Sequence, residues 1–150
     1  MKSAAVTPLK AWIYAARPRT LPASVSPVIV GAVLAYKHAA AISARFIIPA
    51  LLCFMVAFLA QIASNLANDY FDYKKGADGE DRVGPERAVA SGWIAPESML
   101  KGTLIVLGAA MVCGLGLLFY SSWWLILVGL AIGLCVVAYS AGPFPLAYNG

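Results

Sequence analysis

From Ile47 to Ala60 the chain has no charged side chain, and the helix implied by this run then turns polar at Gln61, Asn65, Asn68, Asp69 and Asp72. A helix of about 20 residues is needed to cross the hydrocarbon core of a bilayer. Four apolar stretches reach or approach that length: 21–36, 46–72, 99–119 and 123–139. The predicted fold is therefore all-α and integral to a membrane, a single domain built as a bundle of about four transmembrane helices. Composition points the same way. Of the 150 residues 61% are hydrophobic and 12% charged, whereas an ordinary soluble domain is about 25% charged.

Several function classes fall away at once. The net charge is +4, but the basic residues flank apolar runs and form no dense patch, so nucleic acid is not an expected partner. Cys53, Cys113 and Cys135 lie inside apolar runs without CxxC spacing, and His38 is the single histidine. A disulfide framework and a zinc site are both excluded on that pattern. The first apolar run follows Lys2, Lys10, Arg17 and Arg19 and is broken by Pro22 and Pro27, which is unlike a cleaved secretory signal. The N-terminus is expected to persist in the mature protein.

Thr7 followed by Pro8 reads as an N-cap with proline at the first helical position, opening a short helix over 8–16. With Trp12 and Tyr14 beside Lys10 and Arg17, it is expected to lie in the headgroup layer. The first span should be kinked and closely packed, since it carries Pro22, Pro27 and Gly31. The last two spans are joined through Tyr120, Ser121 and Ser122, with Trp123 and Trp124 marking an interface, and should form an antiparallel hairpin. Lys2, Lys10, Arg17 and Arg19 precede the first span, and Lys74, Lys75, Arg82 and Arg87 follow the second. The opposite side has only Lys37 and Arg45. The positive-inside rule then places the N-terminus and the loop over 73–96 of this multi-pass chain in the cytoplasm.

Six of the seven acids, Asp69, Asp72, Asp78, Glu80, Asp81 and Glu86, fall in or beside that loop. At about 100° per residue, Gln61, Asn65, Asn68, Asp69 and Asp72 share an arc of about 100° on one helix face. Carboxylates at membrane depth cost a few kcal/mol each, on the order of 3 by insertion scales, so this face should meet water, metal or a polar ligand. A plainer account makes Asp69 and Asp72 a helix end entering solvent, and another makes the amides hydrogen-bonded glue between helices. The first does not explain why Gln61, Asn65 and Asn68 carry the same face back into the apolar region, and the second stands as a structural alternative. Asn68, Asp69, Asp72 and Asp78 offer the hard oxygens that Mg²⁺ prefers, with Gln61 and Asn65 as a supporting polar face. An EF-hand is excluded, because Lys74 and Gly76 stand where that loop needs oxygen ligands. Acids beside Lys74, Lys75, Arg82 and Arg87 suit a bound polyphosphate, and the implied chemistry is loss of diphosphate from a lipid-like substrate.

NDYFDYKKGAD, from Asn68 to Asp78, resembles the first Asp-rich motif of the UbiA superfamily of intramembrane aromatic prenyltransferases. Three further stretches agree in order and spacing: ARPRTLPAS from Ala16, GPERAVASGWI from Gly84, and AYSAGPFPLAYNG from Ala138. The likeness is greatest to the branch that prenylates 1,4-dihydroxy-2-naphthoate. That branch also fits the third acid at Asp78, six residues after Asp72, where many members of the superfamily have it four residues on. The family has a second Asp-rich motif and about twice this length, so the resemblance is to an N-terminal half, and residues 1–150 alone are expected to be inactive.

What the resemblance implies is transfer of a polyprenyl group from polyprenyl diphosphate to 1,4-dihydroxy-2-naphthoate, with decarboxylation, in menaquinone biosynthesis. Asn68, Asp69 and Asp72 would be Mg²⁺ ligands, Asp78 would complete the motif, and Arg17 and Arg87 would contact diphosphate. Membrane lipid would surround the bundle. Another aromatic acceptor such as 4-hydroxybenzoate is the alternative within the superfamily. Outside it stand a divalent-cation path and a structural membrane protein. A cation path should spread acids over several spans, whereas here all but Glu97 cluster at one end of one helix.

Overall fold

The computed structural model describes residues 6–38, 42–76 and 86–140. It has five α-helices among those residues and no strand: α1 Pro8–Ala16, α2 Leu21–His38, α3 Ala44–Lys74, α4 Pro96–Gly116 and α5 Trp124–Ser140. Three stretches are long and apolar enough to cross a membrane: Pro8–Lys37, Ala44–Lys74 and Pro96–Phe119. Trp124–Cys135 is a shorter apolar helix. The protein is an all-α membrane bundle. Asp78, Arg82 and the last ten residues lie outside the described residues.

α1 starts where Pro8 takes the first helical position, and the Thr7 carbonyl accepts the Ala11 N–H at 3.0 Å. The Thr7 hydroxyl makes no capping bond, and proline at the first position removes one of the four otherwise unpaired amides of the helix start. The helix stops at Arg17, which precedes Pro18 and adopts a left-handed backbone at φ 51°. A residue before proline is disfavoured in the α region, and a left-handed residue bearing a Cβ costs about 1 kcal/mol. A 3₁₀ turn over Pro18–Thr20 then leads into α2. Both the amide and the hydroxyl of Thr20 donate to the Arg17 carbonyl, at 2.9 Å each, so the corner is internally bonded. Inside α2 the hydroxyls of Ser24 and Ser26 donate to the carbonyls of Leu21 and Pro22. These bonds keep polar groups satisfied in a helix whose ladder is interrupted at Pro27.

α3 is the axis of the bundle and packs against α1, α2, α4 and α5. Its first half contributes no buried residue, whereas its second half buries Ala63, Asn65, Leu66, Ala67, Asp69 and Asp72. α4 runs antiparallel to it, so Gly116 near the end of α4 meets Leu52 in the first half of α3. At its start α4 meets α1. A Cβ at Gly102 would sit 2.6 Å from the Trp12 ring, and only glycine admits that approach.

The core gathers at one end of the bundle. It consists of Ala11 and Ala15 of α1, Leu66 of α3, Ala88, Val89 and Ile94 of the segment before α4, and Met99 of α4. α1 thus turns its small residues inward and leaves Leu9, Ile13 and Tyr14 on its outer side. Large exposed apolar side chains run along the spans, among them Ile29, Val33, Leu51, Ile105, Val112 and Leu134. Exposed apolar side chains of this kind suit a membrane environment.

Candidate functional site

The site is built where the second half of α3 meets two corners of the chain. At 1.5 Å per residue α3 is about 46 Å long, against about 30 Å of hydrocarbon, so its polar end reaches the membrane boundary in an upright helix.

The first corner is the one after α1. Asn65 Nδ2 donates to the Ala16 carbonyl at 2.8 Å and to Thr20 Oγ1 at 2.9 Å. Gln61 Nε2 reaches Asn65 Oδ1 at 3.4 Å, a weak bond from one turn above. Asn65 is 3% exposed, so its amide is a buried joint between α3 and the turn that carries Arg17.

The second corner is the segment from Glu86 to Ala95. Its backbone closes on itself: Ser91 N–H donates to the Arg87 carbonyl, Gly92 N–H to Val89, and both Trp93 and Ile94 N–H to Ala88. Gly92 takes a left-handed φ of 71°, which explains a glycine at that turn. The turn leaves the N–H groups of Ala88 and Val89 pointing at α3. Asp69 accepts both, with Oδ2 on Ala88 and Oδ1 on Val89 at 3.0 Å each. The guanidinium of Arg87 pairs with Asp72 Oδ2, and both residues are buried.

Asn68 lies beside Asp72, one turn back along the helix. Its Oδ1 is buried and has no hydrogen-bond partner among the described residues. An orphaned oxygen of that kind is costly unless something occupies it. Asn68 Oδ1 and the Asp72 carboxylate are hard donors of the type Mg²⁺ takes, and Mg²⁺ commonly completes its octahedron with water and substrate phosphate oxygens. The donor chemistry therefore fits a divalent cation, although no group of three or more His, Cys, Asp or Glu side chains among the described residues is arranged to hold a metal.

Of the residues expected from sequence, Gln61, Asn65, Asn68, Asp69, Asp72 and Arg87 lie together on this face. Arg17 stands within electrostatic reach of Asp69. Lys74 is exposed at the end of α3, its ammonium 5.7 Å from the centre of the Tyr70 ring. Three participants escaped the sequence reading: Thr20 and the backbone amides of Ala88 and Val89. Thr20 lies in the ARPRT stretch and could have been found as a hydroxyl next to a proline corner. Backbone donors have no side-chain signature, and only the Ser91-Gly92 turn signal hinted at them.

Comparison with known proteins gives a consistent picture. Residues 24–150 match the model of the UbiA prenyltransferase family. The chain is similar to 1,4-dihydroxy-2-naphthoate octaprenyltransferase of Bacillus subtilis, 37% identical over 89% of this chain and 42% of the relative. It is likewise similar to the protein of that name in Escherichia coli, 36% identical over 94% of this chain and 46% of the relative. A vertebrate relative, UbiA prenyltransferase domain-containing protein 1 of Danio rerio, is 30% identical over 75% of this chain and 32% of its own length. The chain spans about half the length of the bacterial relatives it matches. No solved structure is a significant match to it.

Proposed function

The chain belongs to the UbiA prenyltransferase family, and from that premise we propose that it forms part of a divalent-metal-dependent enzyme transferring a polyprenyl group from polyprenyl diphosphate to 1,4-dihydroxy-2-naphthoate. One observation supports the reading above the others. The buried Asp72–Arg87 pair stands next to the orphaned oxygen of Asn68, so acid, base and an unused hard donor meet at the polar end of a membrane helix.

In this reading Asn68, Asp72 and Asp78 supply oxygens to Mg²⁺, and Arg17, Arg87, Lys74 and Arg82 supply positive charge to diphosphate. Bound metal contributes Lewis-acid neutralisation of the leaving diphosphate. Arg87 and Arg17 bind the phosphate oxygens and hold the headgroup at the face of α3, which orients the prenyl C–O bond at the membrane boundary. The apolar walls of the bundle exclude water from the isoprenoid tail. That C–O bond breaks with its electron pair leaving on diphosphate, the ring carbon bearing the carboxylate attacks the allylic carbon, and carbon dioxide departs so that the ring regains aromaticity. The product places the enzyme in menaquinone biosynthesis, in a bacterial inner membrane with the N-terminus and the loop over 73–96 on the cytoplasmic side. Residues 1–150 alone carry one acidic wall of such a site and are expected to give no transfer.

The test is an assay of the complete enzyme in lipid with labelled polyprenyl diphosphate, offered dihydroxynaphthoate or 4-hydroxybenzoate, with Mg²⁺ or with EDTA. Prenyl naphthol with release of carbon dioxide, dependent on Mg²⁺, is the expected result. Transfer to 4-hydroxybenzoate alone would reassign the acceptor, and turnover in EDTA would remove the metal.

A further inference from the structure

The sequence pattern groups Asp69 with the metal-binding acids, yet its surroundings differ from those of its neighbours. The five residues of the polar stripe on α3 fall on two adjacent lines. Gln61, Asn65 and Asp69 are spaced four apart on one, and Asn68 and Asp72 are spaced four apart on the other. The first line is tied to protein on both sides: Asn65 to the corner carrying Arg17, and Asp69 to the turn following Arg87. The second line holds the orphaned Asn68 oxygen and the Asp72 carboxylate.

We propose that Asp69 is a positioning residue, not a metal ligand: by gripping the consecutive amides of Ala88 and Val89 it delivers Arg87 to Asp72 and to the diphosphate. Both carboxylate oxygens of Asp69 are used, each by one backbone N–H, and the residue is 1% exposed. Two successive amides converging on an anion are a strong, charge-assisted cradle. Mg²⁺ demands near-octahedral geometry and keeps several waters, and a carboxylate enclosed in this way has no space to offer them. The next residue back along the chain from the gripped amide of Ala88 is Arg87, so fixing residues 88 and 89 fixes the root of the Arg87 side chain. Asp72 lies three residues beyond Asp69, on the same face, and receives the guanidinium. One helix face thus holds the turn by its backbone and the arginine by its tip.

The proposal rests on the diphosphate reading above, and its test separates the two. In the metal-free protein in nanodiscs, the amides of Ala88 and Val89 should be protected from hydrogen exchange, and Asp69→Asn should speed that exchange at least tenfold while Asp72→Asn does not. In the assay, Asp69→Asn should raise KM for polyprenyl diphosphate about tenfold and leave the Mg²⁺ concentration for half-activity within twofold, whereas Asp72→Asn should raise that concentration tenfold or more. Combined with Arg87→Ala, Asp69→Asn should add nothing to the KM loss, because Asp69 acts through Arg87. Amides that become protected only when Mg²⁺ is added, a shift in Mg²⁺ requirement matching that of Asp72→Asn, or fully additive losses would each overturn the proposal. Should Asp72→Asn leave the Mg²⁺ requirement unchanged, the metal reading of Asp72 falls, and exchange in the wild-type metal-free protein still decides the role of Asp69.

Discussion

Between Ala44 and Ala60 α3 buries no residue against the rest of the bundle, and between Ala63 and Asp72 it buries six, three of them polar or charged. One continuous helix therefore serves two environments. In the first half apolar side chains such as Leu51, 59% exposed, stay open on the surface of the bundle. In the second half Asn65, Asp69 and Asp72 each have a specific partner, and the small residues Ala63 and Ala67 are buried among them. Where lipid supplies no driving force between helices, close packing of small residues and interhelical hydrogen bonds hold them together. The contrast teaches that the packed end specifies the structure and the apolar half supplies the membrane.

Substitutions along α3 can break or sharpen this contrast. The largest effect is expected for Asp72→Asn, which keeps the shape and removes the charge. Loss of a metal-facing carboxylate should lower kcat/KM of the complete enzyme by roughly a thousandfold, about 4 kcal/mol, with normal insertion into the membrane. Near-normal turnover at saturating Mg²⁺ would take Asp72 out of the site. Leu66→Ala comes next. This side chain is 2% exposed at the centre of the core, and its truncation should cost about 2–4 kcal/mol of stability in detergent, read as a lowered midpoint of denaturation.

Asn65→Ala is expected to cost about 1–3 kcal/mol, since it leaves the half-buried Ala16 carbonyl and Thr20 hydroxyl without their donor. It should also loosen the Arg17 corner, seen as faster proteolysis between α1 and α2. Leu51→Ala, at the open end of the same helix, should stay within about 0.5 kcal/mol of the parent. A large loss there would mean that this face is packed against protein, and the two halves of α3 would no longer differ in kind.

The helical character of the bundle and the polar stripe were legible in the sequence for one physical reason: a period of 3.6 residues stands out against an apolar background. Gln61, Asn65, Asn68, Asp69 and Asp72 could be placed on one face before any coordinates. What each does there was not legible, because the partners are mostly backbone. Nothing in the letters Ala88 and Val89 says that their amides point at a carboxylate nineteen and twenty residues earlier. Arg87 could be tied to the site by its charge beside the acids and its place in the GPERAVASGWI stretch, but its pairing with Asp72 could not, since a long-range ion pair has no local pattern. The left-handed backbone of Arg17 was likewise hidden.

The joint made by Asn65 spans 49 residues of sequence, from α3 back to Ala16. At about 5–20 residues per second, a ribosome makes the Ala16 corner some seconds before it makes Asn65. The amides of Ala88 and Val89 follow later still. The face on α3 is therefore an assembly that closes in order, the α1–α2 corner waiting for α3 and α3 then waiting for the turn after it. A pause in synthesis between α3 and α4 would leave Asp69 and Asp72 made but unclasped.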